Sequence, residues 1–347
     1  MKITFGEAVD KFLMAREADG YRPNTIRSNR TDLRRAIRAV GSDVDMRRMS
    51  RQHVDHILHF SAKAGCKPSS INQQQATLSS FFKWARSTGI MKPDQNPLEG
   101  KKYRKIQKRP RRRIDLGDFP RLLDAAESSH PRDRILVALG LFLFLRKSEI
   151  VNLKIADVDL SLNILSVTIQ KTYDHDEMRI VPELRVELRR WLTYYTEQCG
   201  PLKPHWYLVP AKHTAGLSRD PADPSRRIRL PERLYPERQM TRPYDIVKRA
   251  LRNMGWETDG EWEGVHTLRR SAARAAYQEA IDSGVDGALK EVQSWLHHSS
   301  ITTTEGYLGI EGDRERRNKK YVDAPLYPSL ADSKLITLRT DNENTGT

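Results

Sequence analysis

The sequence predicts a mainly α-helical protein with two domains, of which only the second contains a small β-hairpin or sheet. Apolar residues recur at helical spacing through the first hundred residues, and one later stretch alternates and is rich in β-branched residues. A dense block of basic residues lies between the two regions. Because 347 residues exceed one ordinary hydrophobic core, two domains are expected.

The first domain, residues 1–100, is expected to be a bundle of four helices. Thr4 and Glu7 have the spacing of a capping box, which predicts the start of the first helix. Gly41 is expected to end the second helix. Three residues of helix-start type are expected to precede or open the other helices: Pro23, Ser50 and Pro68.

Residues 101–113 read KKYRKIQKRPRRR, with nine basic residues in thirteen positions. Like charges repel, so this block is not expected to pack, and we interpret it as a linker. A solvated hinge is the plainer interpretation. Contact with a nucleic-acid backbone is the functional one.

The second domain, residues 114–310, is expected to be of mixed α and β structure. Its polar turn at 172–177 is expected to separate the two strands of a hairpin. The expected elements are a helix around Leu122, a long apolar helix from Arg132 to Leu145, strands at Ile164–Gln170 and Met178–Val181, and a helix at Glu183–Glu197.

The rest of the chain gives weaker signals. Tyr207–Val209 suggests a short strand, and residues 211–240, rich in Pro, Arg and Ser, suggest an extended loop. Helices with polar breaks are expected from there to 310. Residues 311–347 are mostly polar and are expected to form a tail, whose segment 326–338 is a candidate contact with a neighbouring protomer.

Composition excludes several classes of protein. No run of about 18 apolar residues is present, and the N-terminus lacks signal-peptide features, so a cytoplasmic protein is expected. Cys66 and Cys199 have no metal-ligand spacing, so no metal or disulfide framework is expected. The net charge of +15 instead favours a polyanionic partner, DNA or RNA.

Basic residues of the second helix and of the linker are the candidates for this contact. On the helix they fall between apolar positions, which places several on its solvent face. A solvated charged face without a partner is the plainer interpretation. The candidate DNA-binding residues are Arg22, Arg27, Arg30, Arg34, Lys101, Lys102, Arg104, Lys105, Arg111 and Arg112.

Three short patterns could carry chemistry, although none is specific alone. Arg146 follows an apolar run, so its guanidinium is expected to be partly buried and to need an anion there. Glu149 could hold it from the same helical face, and a purely structural pair of the two is the plainer interpretation. Lys171 lies at the expected hairpin turn, where most lysines are only solvated. His266 and Arg269 are three residues apart and share one helical face, in a pattern that also occurs by chance.

The stretch from Trp295 to Tyr307, WLHHSSITTTEGY, is less ordinary. It contains two histidines and a hydroxyl-rich turn, and Tyr307 follows His298 by nine residues. The threonine run, with Glu305 and Gly306, is expected to break regular structure and to leave Tyr307 on a mobile or projecting segment.

Together and in this order, these residues resemble the active site of the tyrosine recombinase family, also called the phage integrases. That family has an R-x-x-E box, a hairpin lysine, an H-x-x-R box, a later histidine or tryptophan, and a tyrosine. The resemblance covers the chain from Phe5 to about Tyr307. The matching residues are Arg146 with Glu149, Lys171, His266 with Arg269, His298 and Tyr307.

The resemblance implies an enzyme that cuts and rejoins double-stranded DNA without a cofactor. Arg146 and Arg269 would hold the scissile phosphate, and Tyr307 would attack it to leave a 3′-phosphotyrosyl link. Lys171 would protonate the departing 5′ oxygen, while His266 and His298 would assist proton transfer or orient the phosphate. The first domain would bind the core DNA site, and the second domain, residues 114–310, would be the catalytic one.

Two positions depart from the family pattern. The family usually has glycine two residues before the first arginine and glycine before the later histidine. This chain has Phe144 and His297 there. Both add bulk next to catalytic positions, and His297 raises the question of which histidine faces the phosphate. Spacing favours His298.

The resemblance also implies a homotetramer on DNA, with accessory DNA-bending or directionality factors as further candidate partners. The bundle begins almost at Met1, so the extra N-terminal domain of larger phage integrases is not expected, while the 211–240 segment is unexpected in a minimal Xer-type chain. A phage or prophage integrase is therefore favoured over an Xer-type or transposon recombinase. Two different activities compete with recombination: non-catalytic DNA binding and type IB topoisomerase-like relaxation.

Overall fold

The computed structural model describes residues 3–106, 112–169, 174–213, 216–219, 222–223, 225–230, 232–256 and 263–310. The chain divides into two compact units, Met1–Arg109 and Pro110–Thr347. The architecture is mainly helical with small antiparallel sheets in the second unit, as the sequence predicts.

The first unit contains the expected helices. Thr4 and Glu7 form the capping box, in which the Glu7 amide donates to Thr4 Oγ1 at 3.3 Å and the Thr4 amide donates to Glu7 Oε2 at 2.9 Å. Gly41, at φ 92°, follows the second helix. The helices are α1 (Phe5–Ala18), α2 (Pro23–Val40), α3 (Arg51–Lys63) and α4 (Pro68–Ser87).

Aromatic rings form the centre of this bundle. Phe81 of α4 is fully buried, and its ring centroid lies 5.6 Å from that of Phe5 and 5.5 Å from that of Phe12, both on α1. Edge-on pairs of this kind add to the free energy gained from apolar burial. The apolar faces of the helices therefore pack into one shared core.

A buried polar chain ties three helices of the bundle together. Thr77 Oγ1 donates to Asp32 Oδ2 at 2.9 Å, and Ser61 Oγ donates to Gln74 Oε1 at 2.6 Å. Gln74 Nε2 also donates to the Asp32 carbonyl at 3.1 Å. Burial raises the pKa of Asp32, although the bond from Thr77 favours its charged form. These buried polar groups satisfy one another across α2, α3 and α4.

The basic block is not free of packing at its start, contrary to the expectation from its charge. Asn72 of α4 makes two hydrogen bonds to the backbone of Arg104, each of 2.9 Å. Lys101 pairs with Asp55 of α3. Self-repulsion is overcome here because an amide side chain satisfies the backbone and a carboxylate offsets one charge.

The second unit combines eight α-helices and two short 3-10 helices with seven strands among the described residues. Strands β1, β2 and β3 form one antiparallel sheet, β4 pairs with β7, and β5 pairs with β6. The helices are α5 (Phe119–Glu127), α6 (Pro131–Phe142), α7 (Lys147–Asn152), α8 (Pro182–Cys199), α9 (Pro243–Asn253), α10 (Val265–Asp282), α11 (Ala288–Trp295) and α12 (Ile301–Leu308). The strands are β1 (Val158–Asp159), β2 (Ile164–Ile169), β3 (Asp174–Arg179), β4 (Pro210–His213), β5 (Gly216–Arg219), β6 (Arg227–Leu230) and β7 (Arg233–Gln239).

Three expected boundaries are wrong. Helix α6 ends at Phe142 instead of Leu145, because Phe144 has a left-handed backbone with φ 53°. The second hairpin strand begins at Asp174, inside the stretch expected to be a turn. Tyr207 forms only an isolated bridge to Lys154, and strand β4 starts afterwards at Pro210.

The expectation of an extended loop over 211–240 is also wrong, since strands β4 to β7 lie there. The sequence did contain a strand signal, the alternation of Arg227-Ile228-Arg229-Leu230. A hydrogen bond joins the start of this region to helix α6: Arg132 Nη1 donates to the Pro210 carbonyl at 3.2 Å.

His130, just before α6, also contacts this region. Its Nδ1 accepts from the Arg132 amide at 2.9 Å, and its Nε2 lies 2.9 Å from Glu232 Oε1. Lys212 Nζ pairs with the other Glu232 oxygen at 2.8 Å. Burial, and then the Lys212 charge, lowers the pKa of His130 to about 4. The imidazole is therefore neutral near pH 7, with a proton on Nε2 that it donates to Glu232.

Close packing fixes α10 against α6. A Cβ at Gly140 of α6 would lie 2.9 Å from Leu268 Cδ1 of α10, so only glycine fits without a shift. In the described part of the chain, no helix is both long and apolar enough to cross a membrane. The tail at 311–347, including segment 326–338, lies outside the described residues.

Candidate active site

Helix α10 carries the H-x-x-R pair. Gly264 precedes the helix, and its amide donates to Thr267 Oγ1 at 3.2 Å. His266 lies in the first turn with an exposed side chain, whereas the Arg269 side chain is only 2% exposed. The close contact of α10 with α6 explains why Arg269, one turn into the helix, points into the interior.

Two main-chain carbonyls hold Arg269. Its Nη1 donates to the carbonyl of Phe144 and its Nη2 to the carbonyl of Leu296. Glu149 Oε2 lies 3.7 Å from Nη1. A guanidinium with fixed, planar donors is therefore locked in one orientation before any ligand arrives.

Arg146 shares two of these partners, the Leu296 carbonyl and Glu149. Its Nη2 donates to the Leu296 carbonyl at 3.1 Å and its Nη1 to Glu149 Oε1 at 2.8 Å. The Arg146 amide also donates to Glu149 Oε2 at 2.6 Å. The pair does not share a helical face as expected: Arg146 precedes α7 with an extended backbone, and Glu149 folds back from the first turn.

The charges of this cluster do not balance. Among the described residues, the guanidiniums of Arg146 and Arg269 share one carboxylate, Glu149, whose side chain is 1% exposed. Burial, and then the Arg146 charge, lowers the pKa of Arg269 to about 10, against the raising effects of Tyr307 and Glu149. Arg269 stays charged at pH 7, so two guanidiniums face one carboxylate and the site attracts an anion.

Tyr307 lies beside this cluster on α12, which is a regular helix and not the broken, projecting segment that the sequence suggested. Its hydroxyl donates to the His266 carbonyl at a long 3.4 Å. Its ring is half-buried and packs edge-on against the His298 ring, with centroids 5.4 Å apart. Threonines 302 to 304 do not break the helix because Ser300 precedes it and Thr304 is buried within it.

His298 and His297 point to different places. Nδ1 of His298 lies 3.1 Å from Thr304 Oγ1, and its ring contacts Tyr307. His297 instead reaches strand β3, with Nε2 3.4 Å from Asp176 Oδ2. The geometry thus places His298, which spacing favoured, next to the tyrosine.

Lys171 lies outside the described residues. The flanking residues Ile169 and Asp174 pair across the hairpin. Of the expected set, the structure therefore brings together Arg146, Glu149, His266, Arg269, His298 and Tyr307.

Sequence reasoning missed the carbonyls of Phe144 and Leu296, since main-chain ligands have no residue-type signal. It also missed Arg113, whose Nη2 donates to the Leu308 carbonyl at 2.7 Å, at the end of the helix that carries Tyr307. The neighbouring Ile114 amide donates to Ser271 Oγ of α10 at 2.9 Å.

The candidate DNA-binding residues are placed as follows. Arg27 and Arg34 are exposed on α2, whereas Arg30 already pairs with Glu17 of α1 at 3.1 Å. The Arg112 guanidinium stacks over Trp256, 4.7 Å from the ring centroid. Arg22 is half-buried before α2, Lys102, Arg104 and Lys105 are exposed, Lys101 pairs with Asp55, and Arg111 lies outside the described residues.

The described residues contain no cluster of three or more His, Cys, Asp or Glu side chains able to hold a metal ion. What the site offers is two fixed guanidiniums, imidazoles and a phenol. This donor set suits a phosphate diester.

Comparison with known proteins decides the family. Residues 112–312 match the model of the phage integrase family, and residues 10–89 match that of the phage integrase N-terminal SAM-like domain. The chain belongs to the phage integrase family. It is a site-specific tyrosine recombinase.

Relatives agree with this assignment. A tyrosine recombinase of Pseudothermotoga lettingae is 27% identical over 78% of this chain and 82% of its own. Tyrosine recombinase XerC of Herpetosiphon aurantiacus is 26% identical over 90% of this chain and 92% of its own.

Solved structures share the fold. A lambda integrase tetramer bound to a Holliday junction has a TM-score of 0.66 at 17% identity, covering 88% of this chain and 77% of that one. The Tn1549 transposon integrase in complex with circular intermediate DNA has a TM-score of 0.64 at 14% identity, covering 88% and 95%.

Proposed function

We propose that this recombinase cleaves and rejoins duplex DNA through a 3′-phosphotyrosyl intermediate formed on Tyr307. One observation carries the proposal: Arg146 and Arg269 are both held by the Leu296 carbonyl, with an unbalanced positive charge, beside the tyrosine hydroxyl. The arrangement fits an anion that bears an electrophilic centre within reach of that oxygen.

The reaction follows from these groups. The Tyr307 oxygen attacks phosphorus and the bond to the 5′ oxygen breaks, while the two arginines stabilise charge on the non-bridging oxygens. The phenol loses its proton towards His266 or solvent, and Lys171 gives a proton to the leaving 5′ oxygen. Attack by a 5′ hydroxyl of another strand reverses the step and regenerates the tyrosine.

No external energy source is required, since one phosphodiester is exchanged for a phosphotyrosyl ester and then restored. His298 supports this step from the side of the tyrosine ring, held by Thr304. Glu149 acts as a positioning residue, because it touches both arginines and is almost fully buried.

We assign the core DNA contact to the first unit and the linker, and a homotetramer to the active assembly. The lambda integrase tetramer on a Holliday junction supports this arrangement by similarity of fold. We assign the protein to integration and excision of a phage or prophage. The Xer-type relatives and the Tn1549 integrase support the second candidate, a chromosomal or transposon recombinase.

Covalent trapping tests the proposal. Nicked duplexes tiled across the DNA flanking the gene are incubated with wild-type, Tyr307→Phe and Tyr194→Phe proteins, then denatured. Tyr194 is the control, because its hydroxyl contacts His130, which is not one of the site residues. Wild type and Tyr194→Phe are expected to form a protein–DNA adduct, and Tyr307→Phe none.

An adduct that survives in Tyr307→Phe would show that another residue is the nucleophile. Binding without an adduct on any duplex would favour a DNA-binding protein without catalysis. Once a core site is found, recombination between paired sites separates the two biological assignments. A preferred pair of chromosomal sites that bound no phage or prophage DNA would contradict a phage integrase.

A further inference from the structure

Two residues at the site have a left-handed backbone conformation that residues other than glycine rarely adopt. Phe144 has φ 53° and His297 has φ 47°. The third such residue in the described part of the chain is Asn163, a type that tolerates this region. Strained conformations persist where the surroundings hold them, and they often mark functional sites.

Both residues adjoin the carbonyls that hold the arginines. Phe144 itself supplies the carbonyl that accepts from Arg269. The peptide between Leu296 and His297 supplies the carbonyl that accepts from both Arg146 and Arg269. The left-handed turns therefore aim these two carbonyls at the guanidiniums.

Each side chain makes a contact that glycine could not make. The Phe144 ring stacks on Trp295 with centroids 5.6 Å apart and planes inclined by 6°. His297 Nε2 lies 3.4 Å from Asp176 Oδ2 on β3 and has no hydrogen-bond partner among the described residues. Strand β3 follows Lys171 in the chain and pairs with β2 up to Ile169 and Asp174.

The charges around His297 depend on whether a phosphate is bound. Asp176 of β3 and Glu149 of α7 favour its protonated form, while burial, Arg269 of α10 and Arg146 oppose it. Burial is the largest effect and lowers the pKa of His297. A phosphate on the two arginines would offset their repulsion, which favours a charged imidazole facing the Asp176 carboxylate.

We infer that His297 is a positioning residue that joins strand β3 to the peptide holding Arg146 and Arg269, and that bound DNA phosphate tightens this join into an ion pair. The inference rests on the proposed function. It gives the bulky residue at this position a role that glycine cannot fill, because it connects the hairpin following α7 to the segment preceding Tyr307.

Single-turnover cleavage of a nicked duplex tests the inference with His297→Gly, Asp176→Asn and the double variant. Glycine accepts the φ of 47° freely but lacks the ring. Each single variant is expected to slow cleavage about tenfold at saturating DNA, with DNA affinity changed less than about threefold. The double variant is expected to be slowed about as much as either single one, since both remove the same contact.

The pH profile supplies a readout that a purely structural role would not move. The ratio of wild-type to His297→Gly rates is expected to be largest near about pH 6 and to fall towards one near about pH 9, as the imidazole loses its proton. Circular dichroism and urea denaturation check that the variants remain folded.

Three outcomes would each overturn the inference: cleavage by His297→Gly at the wild-type rate, single effects that multiply in the double variant, and a rate ratio that stays flat with pH. Tyr307→Phe is measured beside these variants. If wild-type protein forms no adduct that Tyr307→Phe lacks, the proposed function fails. If it does form one, a wild-type rate in His297→Gly refutes the positioning role alone.

Discussion

The helical bundle and the active site treat buried polar groups in opposite ways. In the bundle, Asp32, Thr77 and Gln74 satisfy one another through side-chain and backbone hydrogen bonds. At the site, Arg146 and Arg269 share one carboxylate and one carbonyl, that of Leu296 before the left-handed His297, among the described residues. The bundle therefore satisfies its buried polar groups internally, whereas the site holds an excess of positive charge that an anion would offset.

The sharpest test of this contrast is Arg269→Lys. Lysine keeps the charge but cannot donate in a fork to two carbonyls and a phosphate together. We expect single-turnover cleavage to fall by about a hundredfold to a thousandfold, with DNA affinity changed less than about threefold.

Arg190→Lys is the matched control, because Arg190 is more than half exposed and pairs with Glu127 on the protein surface. It is expected to cleave within about twofold of wild type. Equal losses in the two variants would contradict a special role for the buried guanidinium.

The converse test is Phe81→Ala in the bundle. The ring is fully buried against Phe5 and Phe12, so its loss leaves a cavity and is expected to lower the free energy of unfolding by about 3–5 kcal/mol. Urea denaturation measures the loss. Exposed Phe60→Ala, on α3, is the control and is expected to cost less than about 1 kcal/mol.

Cleavage separates Phe81→Ala from the active-site variants. Below its unfolding transition, this variant is expected to cleave saturating nicked DNA within about threefold of the wild-type rate. A large loss of rate in folded Phe81→Ala would show that the bundle core also shapes the site.

The smallest expected effect concerns His130, which shows how the second unit is stabilised away from the arginines. Its folded pKa of about 4 lies below the ordinary 6.5, so its stabilising contribution is present above pH 6.5 and is lost as the pH falls towards 4. His130→Asn keeps an acceptor for the Arg132 amide and does not titrate.

Urea denaturation of both proteins at pH 7 and at about pH 4.5 measures this contribution. Wild type is expected to lose about 1–3 kcal/mol more than His130→Asn over that interval. Identical losses would mean that the imidazole is not held neutral by Lys212 and burial.

The contrast also explains what the sequence could predict. The bundle helices were predictable because Thr4, Pro23, Ser50 and Pro68 mark their starts and apolar spacing marks their buried faces. These signals are local, so each bundle helix can be predicted from its own residues.

The geometry of the site depends on contacts between residues that are far apart in the chain. Its side chains were predictable from residue type and order, yet the ligands of Arg269 are main-chain carbonyls that any residue could supply. The left-handed turn at Phe144 contradicts its propensity, which is why α6 ends three residues before the expected Leu145. Strands β5 and β6 were missed because their arginines resemble loop composition, although Arg227–Leu230 alternates.

The bond from Arg113 to the Leu308 carbonyl joins positions 195 residues apart. Arg146 and the Leu296 carbonyl are separated by 150 residues. Contacts that close such long loops cost conformational entropy, and folds rich in them form slowly. Tyr307 is therefore fixed among its partners only when nearly the whole second unit has been made and folded, so a ribosome-bound or truncated chain that ends before α12 lacks the complete site.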